Sequence, residues 1–305
     1  MRSLLLLPFV MACGDYLCLP EGSDLGAGVS SIAASSDISS ATTLRHFAWD
    51  SLLRYQTVES SESDGDWRRF DYAGYGESVE AMAALEGYVG NLSTVDPDTL
   101  IDEDERLAYW LNVYNAWVLL AVAQEVANNP DYNVESDGWL VFNTRYIRVG
   151  DDLLTPNEVE HGVLRGWEDQ PFDDEALKDK AAGWYRGVWG GSPPDARLHM
   201  GLNCASTSCP NLGPGAFQGD RIWDQLDILS TEFVNNETKG AGPNGVSSLF
   251  NWFSGDFAET FGSTRAFVEE YRTDGTQGVD FDTSLPYDWS LNAATGEPAL
   301  APCGF

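Results

Sequence analysis

Asp102-Glu103-Asp104-Glu105-Arg106-Leu107-Ala108-Tyr109-Trp110-Leu111-Asn112-Val113-Tyr114-Asn115-Ala116 opens the stretch that decides the fold. Leu107, Trp110, Leu111, Tyr114, Val118 and Val122 follow the i, i+3, i+4, i+7 spacing of one helix face. Four acids fill its first turns, where negative charge complements the unpaired N–H groups of a helix start. Asn112 and Asn115 interrupt the apolar helix. Buried amides need partners, so these two either hold a loop or line a site.

Upstream, Thr42 or Thr43 caps a helix carrying Leu44, Phe47, Ala48, Leu52 and Tyr55, and a second helix runs from about Ser78 to Leu92. Downstream, Asn128-Asn129-Pro130 breaks the pattern and the period changes. Leu140-Val141-Phe142 and Tyr146-Ile147-Arg148-Val149 read as strands, with a turn at Gly150-Asp151-Asp152 leading to Leu153-Leu154. Thr155-Pro156-Asn157-Glu158 is a capping box with Pro at the first helical position, starting a helix that carries Glu158, Glu160, His161 and Leu164. Leu198 to Asn203 reads as a buried strand, Ile222 to Val234 and Thr264 to Tyr271 as amphipathic helices, and Tyr287 to Leu291 as a last strand. The expected fold class is α+β: one helix-rich domain, residues 41–295, with a small, mainly antiparallel sheet. Residues 296–305 form a Gly/Pro/Ala tail.

The 305 residues carry 48 acids against 17 bases, a net charge of −31. Lysine occurs only at 178, 180 and 239. An anionic surface repels phosphates and anionic headgroups, so nucleic acid is excluded as a partner. Arg2, the apolar run Leu4 to Met11 and Ala12-Cys13 have the order of an export signal, and the ending is similar to a lipobox. Residues 1–12 are thus expected to be a signal peptide, Cys13 a lipidated N-terminus, and residues 13–40 a flexible tether. With Gly14 rather than Asp after the cysteine, the expectation is an outer-membrane lipoprotein of the cell envelope. It would meet the membrane through its lipid anchor.

Arg197-Leu198-His199-Met200-Gly201-Leu202-Asn203-Cys204-Ala205-Ser206-Thr207-Ser208-Cys209-Pro210 concentrates the reactive side chains. His161 stands beside Glu160; His46 reads as a surface or boundary residue. Three readings stay open. In the first, Cys204 is a nucleophile with a histidine as base and a polar group orienting it, a set suited to hydrolase or acyltransferase chemistry on a small molecule or peptide. If the strand continues, His199 and Cys204 face opposite ways, so His161 is the base, Asn115 or Glu160 the orienter, and His199 a support. Asn112, Asn203 and Cys209 complete the supporting set. In the second, His161, His199, Cys204 and Cys209 bind zinc, at a spacing that matches no common knuckle. In the third, Cys204 and Cys209 form a structural disulfide in a non-catalytic binding or scaffolding module, with Cys18 and Cys303 free to pair. No cofactor is called for. Tryptophans 110, 184, 189, 252 and 289 read as core, and the acidic runs at 63–66 and 96–105 as solvated faces.

Together these motifs bring a resemblance. Asn112 to Ala116, Glu160-His161, His199 to Pro210 and Tyr287 to Asn292 resemble, in order, the family known as domain of unknown function 547; Asp71-Tyr72-Ala73-Gly74 and Asp256-Phe257 also agree. The resemblance implies this domain and no settled activity. It also implies that the cysteines occur in cytosolic relatives, where a disulfide would not persist.

Overall fold

The computed structural model describes residues 12–13, 16–17, 46–53, 56–61, 65–136, 138–167, 172 and 174–294. The segments expected to be signal peptide (1–12), tether (13–40) and tail (296–305) lie outside the described residues, except for a two-residue ladder pairing Ala12–Cys13 with Tyr16–Leu17. Cys18 and Cys303 lie outside them as well. In chain order the domain runs α1 (Phe47–Leu53), hairpin β1 (Gln56–Ser61) and β2 (Gly65–Phe70), α2 (Tyr72–Glu77), α3 (Val79–Leu92) and α4 (Glu103–Asn128). Then come α5 (Leu140–Asn143), hairpin β3 (Ile147–Val149) and β4 (Asp152–Leu154), a π-helix (Glu158–Leu164), α6 (Glu175–Trp189) and α7 (Leu198–Gly201). The chain continues through α8 (Ile222–Asn235), hairpin β5 (Ala241–Gly242) and β6 (Gly245–Val246), α9 (Ser248–Trp252), α10 (Ser254–Phe261) and α11 (Thr264–Tyr271). It is a helix-rich α+β domain whose ladders are antiparallel, with isolated parallel bridges at Phe70–Ala293 and Val246–Ser284. Among the described residues the β-structure is four separate two-stranded ladders rather than one sheet.

The decisive stretch is the central helix. The Asp102 carboxylate accepts from Glu105 N at 2.9 Å and caps α4. From Leu107 to Ala116 every residue is buried, so α4 is enclosed on all sides and not merely along one stripe. Helices α2, α3, α6, α8 and the π-helix pack around it. Trp110 meets Trp184 at 5.1 Å between ring centroids, inside the core. No helix among the described residues is long and apolar enough to cross a membrane.

Asn112 and Asn115 satisfy their amides against backbone. Asn112 donates to Phe217 O (2.8 Å) and accepts from Phe217 N (3.0 Å). Asn115 donates to Gly201 O (2.7 Å) and accepts from Asn203 N (2.9 Å). Each imitates one rung of a β-ladder, pinning an irregular segment to a helix that has no backbone groups to spare. The capping box forms with both reciprocal bonds: Thr155 N to Glu158 Oε2 at 2.8 Å and Glu158 N to Thr155 Oγ1 at 2.9 Å.

Several expected elements differ. Leu140–Asn143 and Leu198–Gly201 are single helical turns, not strands. A short apolar run carries no period that separates the two, and tertiary contacts decided. At Gly201 a Cβ would stand 2.9 Å from Leu226 Cδ2 and 3.2 Å from Leu111 Cδ1, so glycine lets α7 press between α8 and α4. Tyr287–Leu291 is an extended strap with one bridge, Leu291 to Ser206, and not a strand of a sheet. His46 is buried, not superficial; its Nδ1 lies 2.6 Å from Tyr88 Oη, and burial pushes the imidazole down to about 4. Trp110, Trp184 and Trp189 are core, but Trp252 is 50% exposed.

Asn112→Leu keeps the volume and removes both amide hydrogen bonds to Phe217 N and O. Each buried unpaired group costs about 1–3 kcal/mol. Urea denaturation is expected to show a loss of at least about 2 kcal/mol. A change near zero would mean that the Phe217 segment is not held by this amide.

Candidate functional site

Four segments meet at one cavity of about 170 Å³, lined by Glu160, His161, His199, Cys204, Cys209 and Tyr287 among apolar neighbours that include Leu202, Leu249, Phe253, Trp252 and Trp289. The π-helix supplies Glu160 and His161; α7 supplies His199. The loop after α7 supplies the cysteines, and the C-terminal strap supplies Tyr287. A π-turn widens the backbone spiral, a distortion common at functional sites.

The cysteine loop is clamped at both ends. Asn203 accepts from Ala205 N (3.0 Å) and donates to Pro210 O (2.7 Å), so one side chain ties the start of the loop to its finish. Between them Ala205 adopts φ +62°, a left-handed conformation that costs a non-glycine residue about 1–2 kcal/mol. The strap is sewn to the same loop through Asn292 N to Ala205 O (2.9 Å), Thr207 N to Ser290 O (2.7 Å) and Asp288 N to Ser208 Oγ (2.9 Å). This stitching carries Tyr287 to Cys204.

Cys204 and Cys209 are both free thiols, so the structure holds no Cys204–Cys209 disulfide. Cys204 Sγ lies 3.0 Å from Ser206 Oγ and 3.4 Å from Tyr287 Oη, and Cys204 N donates to Cys209 Sγ at 3.0 Å. Burial would raise the Cys204 thiol. Hydrogen bonds from Cys209, Ser206, Tyr287 and the Ser206 backbone outweigh burial and hold the thiol below its ordinary value. Cys209, buried beside Cys204, is pushed up and stays protonated. Tyr287 is likewise pushed up, by burial and then by Cys204, so it keeps a proton to donate.

The two imidazoles carry their protons in opposite senses. His199 Nε2 lies 2.8 Å from Asp256 Oδ2 and donates to that carboxylate, so when the ring carries a single proton its lone pair is on Nδ1. His161 Nδ1 lies 3.0 Å from Arg165 Nη1, and arginine has only protons to give. His161 Nδ1 therefore accepts, and the ring proton sits on Nε2. Burial lowers the His161 imidazole; Glu160 pulls it up and Arg165 pushes it down, with a net lowering that keeps it neutral. Arg165 also donates from Nε to Asp256 Oδ2 at 2.7 Å. Burial alone would raise Asp256. The bonds and charges of His199 and Arg165 reverse that and hold the carboxyl well below the usual carboxylate range. His199 stacks on Phe253 with centroids 4.0 Å apart, which fixes the ring plane.

The placement of the expected residues follows from this. Cys204, His161 and Glu160 share one cavity, and His199 joins them in its lining instead of standing behind it. The opposite-face expectation fails because Leu198–Gly201 is helical, so strand parity does not apply. Asn115 is not in the lining; it holds Gly201 and Asn203 from below. Asn112 and Asn203 are also framework. Among the described residues no hydrogen bond joins Cys204 Sγ to either imidazole; its polar partners are Ser206 and Tyr287. No cluster of three or more His, Cys, Asp or Glu among the described residues is placed to hold a metal ion. The roles of Arg165, Asp256, Ser206 and Tyr287 escaped the sequence reading. Arg165 left a readable trace, one helical turn after His161; Asp256 and Tyr287 lie far along the chain, and although both fall in motifs that carry the resemblance, nothing near them in sequence ties them to His199 or Cys204.

Residues 98–234 match the model of a family described as a protein of unknown function, DUF547. The match spans α4, the π-helix and the cysteine loop, while Asp256 and Tyr287 lie beyond the matched residues. No curated protein and no solved structure matches the chain.

Alkylation of Cys204 by iodoacetamide, followed peptide by peptide against pH, is expected to rise with a midpoint below the roughly 8.5 of a free cysteine. Tyr287→Phe removes a donor to the thiolate and should move that midpoint upward. An unchanged midpoint in the variant would take Tyr287 out of the set that ionises the thiol.

Proposed function

We propose that the domain is a thiol-dependent hydrolase or acyltransferase with Cys204 as nucleophile. The observation that carries this reading is a cavity-facing thiol with three local hydrogen-bond donors, sharing its cavity with one imidazole held by a carboxylate and another held by an arginine. A thiolate supported in this way needs no histidine to deprotonate it at neutral pH. The sulfur adds to a substrate carbonyl carbon, and Tyr287 and Ser206, released from the sulfur's charge, remain near the reacting centre. His199, with its lone pair on Nδ1 and Asp256 behind Nε2, is the proton acceptor for the attacking water or acceptor alcohol. His161, with its proton on Nε2, donates a hydrogen bond to the developing oxyanion and keeps that proton, because losing it would leave an imidazolate. The leaving group takes a proton from water as it departs; His199 takes the proton of the incoming water or alcohol as that adds to the thioester, the Cys204 thiolate leaves, and His199 returns its proton to solvent. Asn115, first read as an orienter, is a positioning residue in this scheme, and Asp256 takes the orienting role.

The leader supports a second part of the proposal, an envelope lipoprotein anchored through Cys13. Mass spectrometry of the mature protein from its native membrane should find diacylglyceryl cysteine at Cys13. An unmodified N-terminus at any other residue refutes the anchor and leaves the thiol chemistry standing.

The catalytic reading is tested with p-nitrophenyl acetate and a panel of amide and thioester probes. Cys204→Ser is expected to lose turnover by about 100-fold or more. His199→Asn should still acylate, because the thiol ionises without it, but should accumulate acylated Cys204 that intact-mass measurement detects. Turnover indifferent to Cys204→Ser sinks the proposal. Prompt deacylation in His199→Asn would remove His199 from the role of base.

A further inference from the structure

We infer that the mouth of the Cys204 cavity selects substrates bearing an alkylammonium group, seated against the face of Trp252 and Trp289 and paired with Glu160. The inference rests on Cys204 being the reactive thiol. The first observation is a carboxylate without a cation. Four other buried or half-buried acids have an arginine: Asp256 has Arg165, Asp195 has Arg197, Glu158 has Arg145 and Glu232 has Arg68. Glu160, whose side chain is 15% exposed, has none among the described residues. It accepts one bond from Tyr114 Oη at 3.3 Å and lies 3.8 Å from His161 Nδ1, a nitrogen already shown to be the acceptor of a neutral ring. The cavity lining contains Glu160 and no lysine or arginine. A partly desolvated carboxylate in that position attracts a cation more strongly than one in open water.

The second observation is aromatic and independent of charge. Trp252 and Trp289 stand nearly parallel, 15° apart with centroids at 5.9 Å, and Tyr287 packs 4.4 Å from Trp289. Trp139, 40% exposed, sets its edge against Trp289 at 5.8 Å and is held at φ +59°. Left-handed backbone is costly for so bulky a residue, and such strain persists where the surroundings impose it. These faces present π-density toward solvent at the rim of a cavity that holds a carboxylate, which is the chemistry that recognises substituted ammonium groups. The same site already uses it internally, where the Arg165 guanidinium lies 4.7 Å from the Phe253 ring centroid. An overall charge of −31 adds a field that concentrates cations and repels anions.

The test compares two reagents of one chemistry and opposite charge on the full chain. 2-(Trimethylammonium)ethyl methanethiosulfonate and 2-sulfonatoethyl methanethiosulfonate both react by thiolate attack on sulfur, forming a mixed disulfide and releasing methanesulfinate. Rates at Cys204 are read by peptide mass spectrometry in 0.5 M salt, which screens the distant charges. Each rate is normalised to iodoacetamide on the same variant. The cationic-to-anionic ratio is expected to exceed that of free glutathione by about tenfold. Glu160→Gln and, separately, the surface substitution Trp252→Ala should each reduce it about threefold or more. A ratio equal to that of glutathione, or one that neither substitution moves, overturns the inference while leaving the thiol site intact. Failure of iodoacetamide to modify Cys204 overturns the thiol reading, and the selectivity falls with it.

Discussion

The amide of Asn115 grips Gly201 O and Asn203 N, and the position of Cys204 depends on that grip. As the proposed nucleophile, Cys204 needs a fixed direction, yet the cysteines sit in a loop with no sheet to brace it. The solution is a relay of side-chain amides. Asn115 on the buried central helix holds the loop entrance, and Asn203 closes the loop on itself. The strap after residue 286 then binds the loop from the other side. Each link replaces a backbone hydrogen bond that regular structure would have made, so the irregular segment has few orphaned polar groups.

That arrangement accounts for the separation between framework and chemistry. The residues below the loop have both amide functions spent on backbone and none left for a substrate. The residues facing the cavity are held from behind by neighbouring side chains: His199 by Asp256, His161 by Arg165, Cys204 by Ser206 and Tyr287. Arg165 bonds both His161 and Asp256, so one guanidinium sets the proton position of one ring directly and helps fix that of the other through the carboxylate. In a chain with few bases, where each arginine goes decides which acids are neutralised. Glu160, which has no arginine among the described residues, faces the cavity.

Much of the scaffold was legible because it rests on local physics. The apolar spacing of α4, the acids at its start, the capping box before the π-helix and the amphipathic face of α11 are all written within a turn or two of the residues they govern. The short apolar runs at 140–142 and 198–203 were not legible as helical turns. Four or five residues define no period, and the packing of Gly201 between Leu111 and Leu226 is a fact about partners far apart in sequence.

The sequence by itself determined that the chain forms a helix-rich α+β domain around one buried helix, and that reactive side chains concentrate between residues 197 and 210. It also determined that Asn112 and Asn115 must find partners inside. Only the tertiary structure decided what those partners are. It also decided that the two cysteines are free, that His199 faces the cavity, and that Asp256 and Tyr287 arrive from distant segments to set one imidazole and one thiol. The division has a plain cause. Periodicity and capping depend on neighbours along the chain, whereas the protonation and direction of a reactive group depend on neighbours in space.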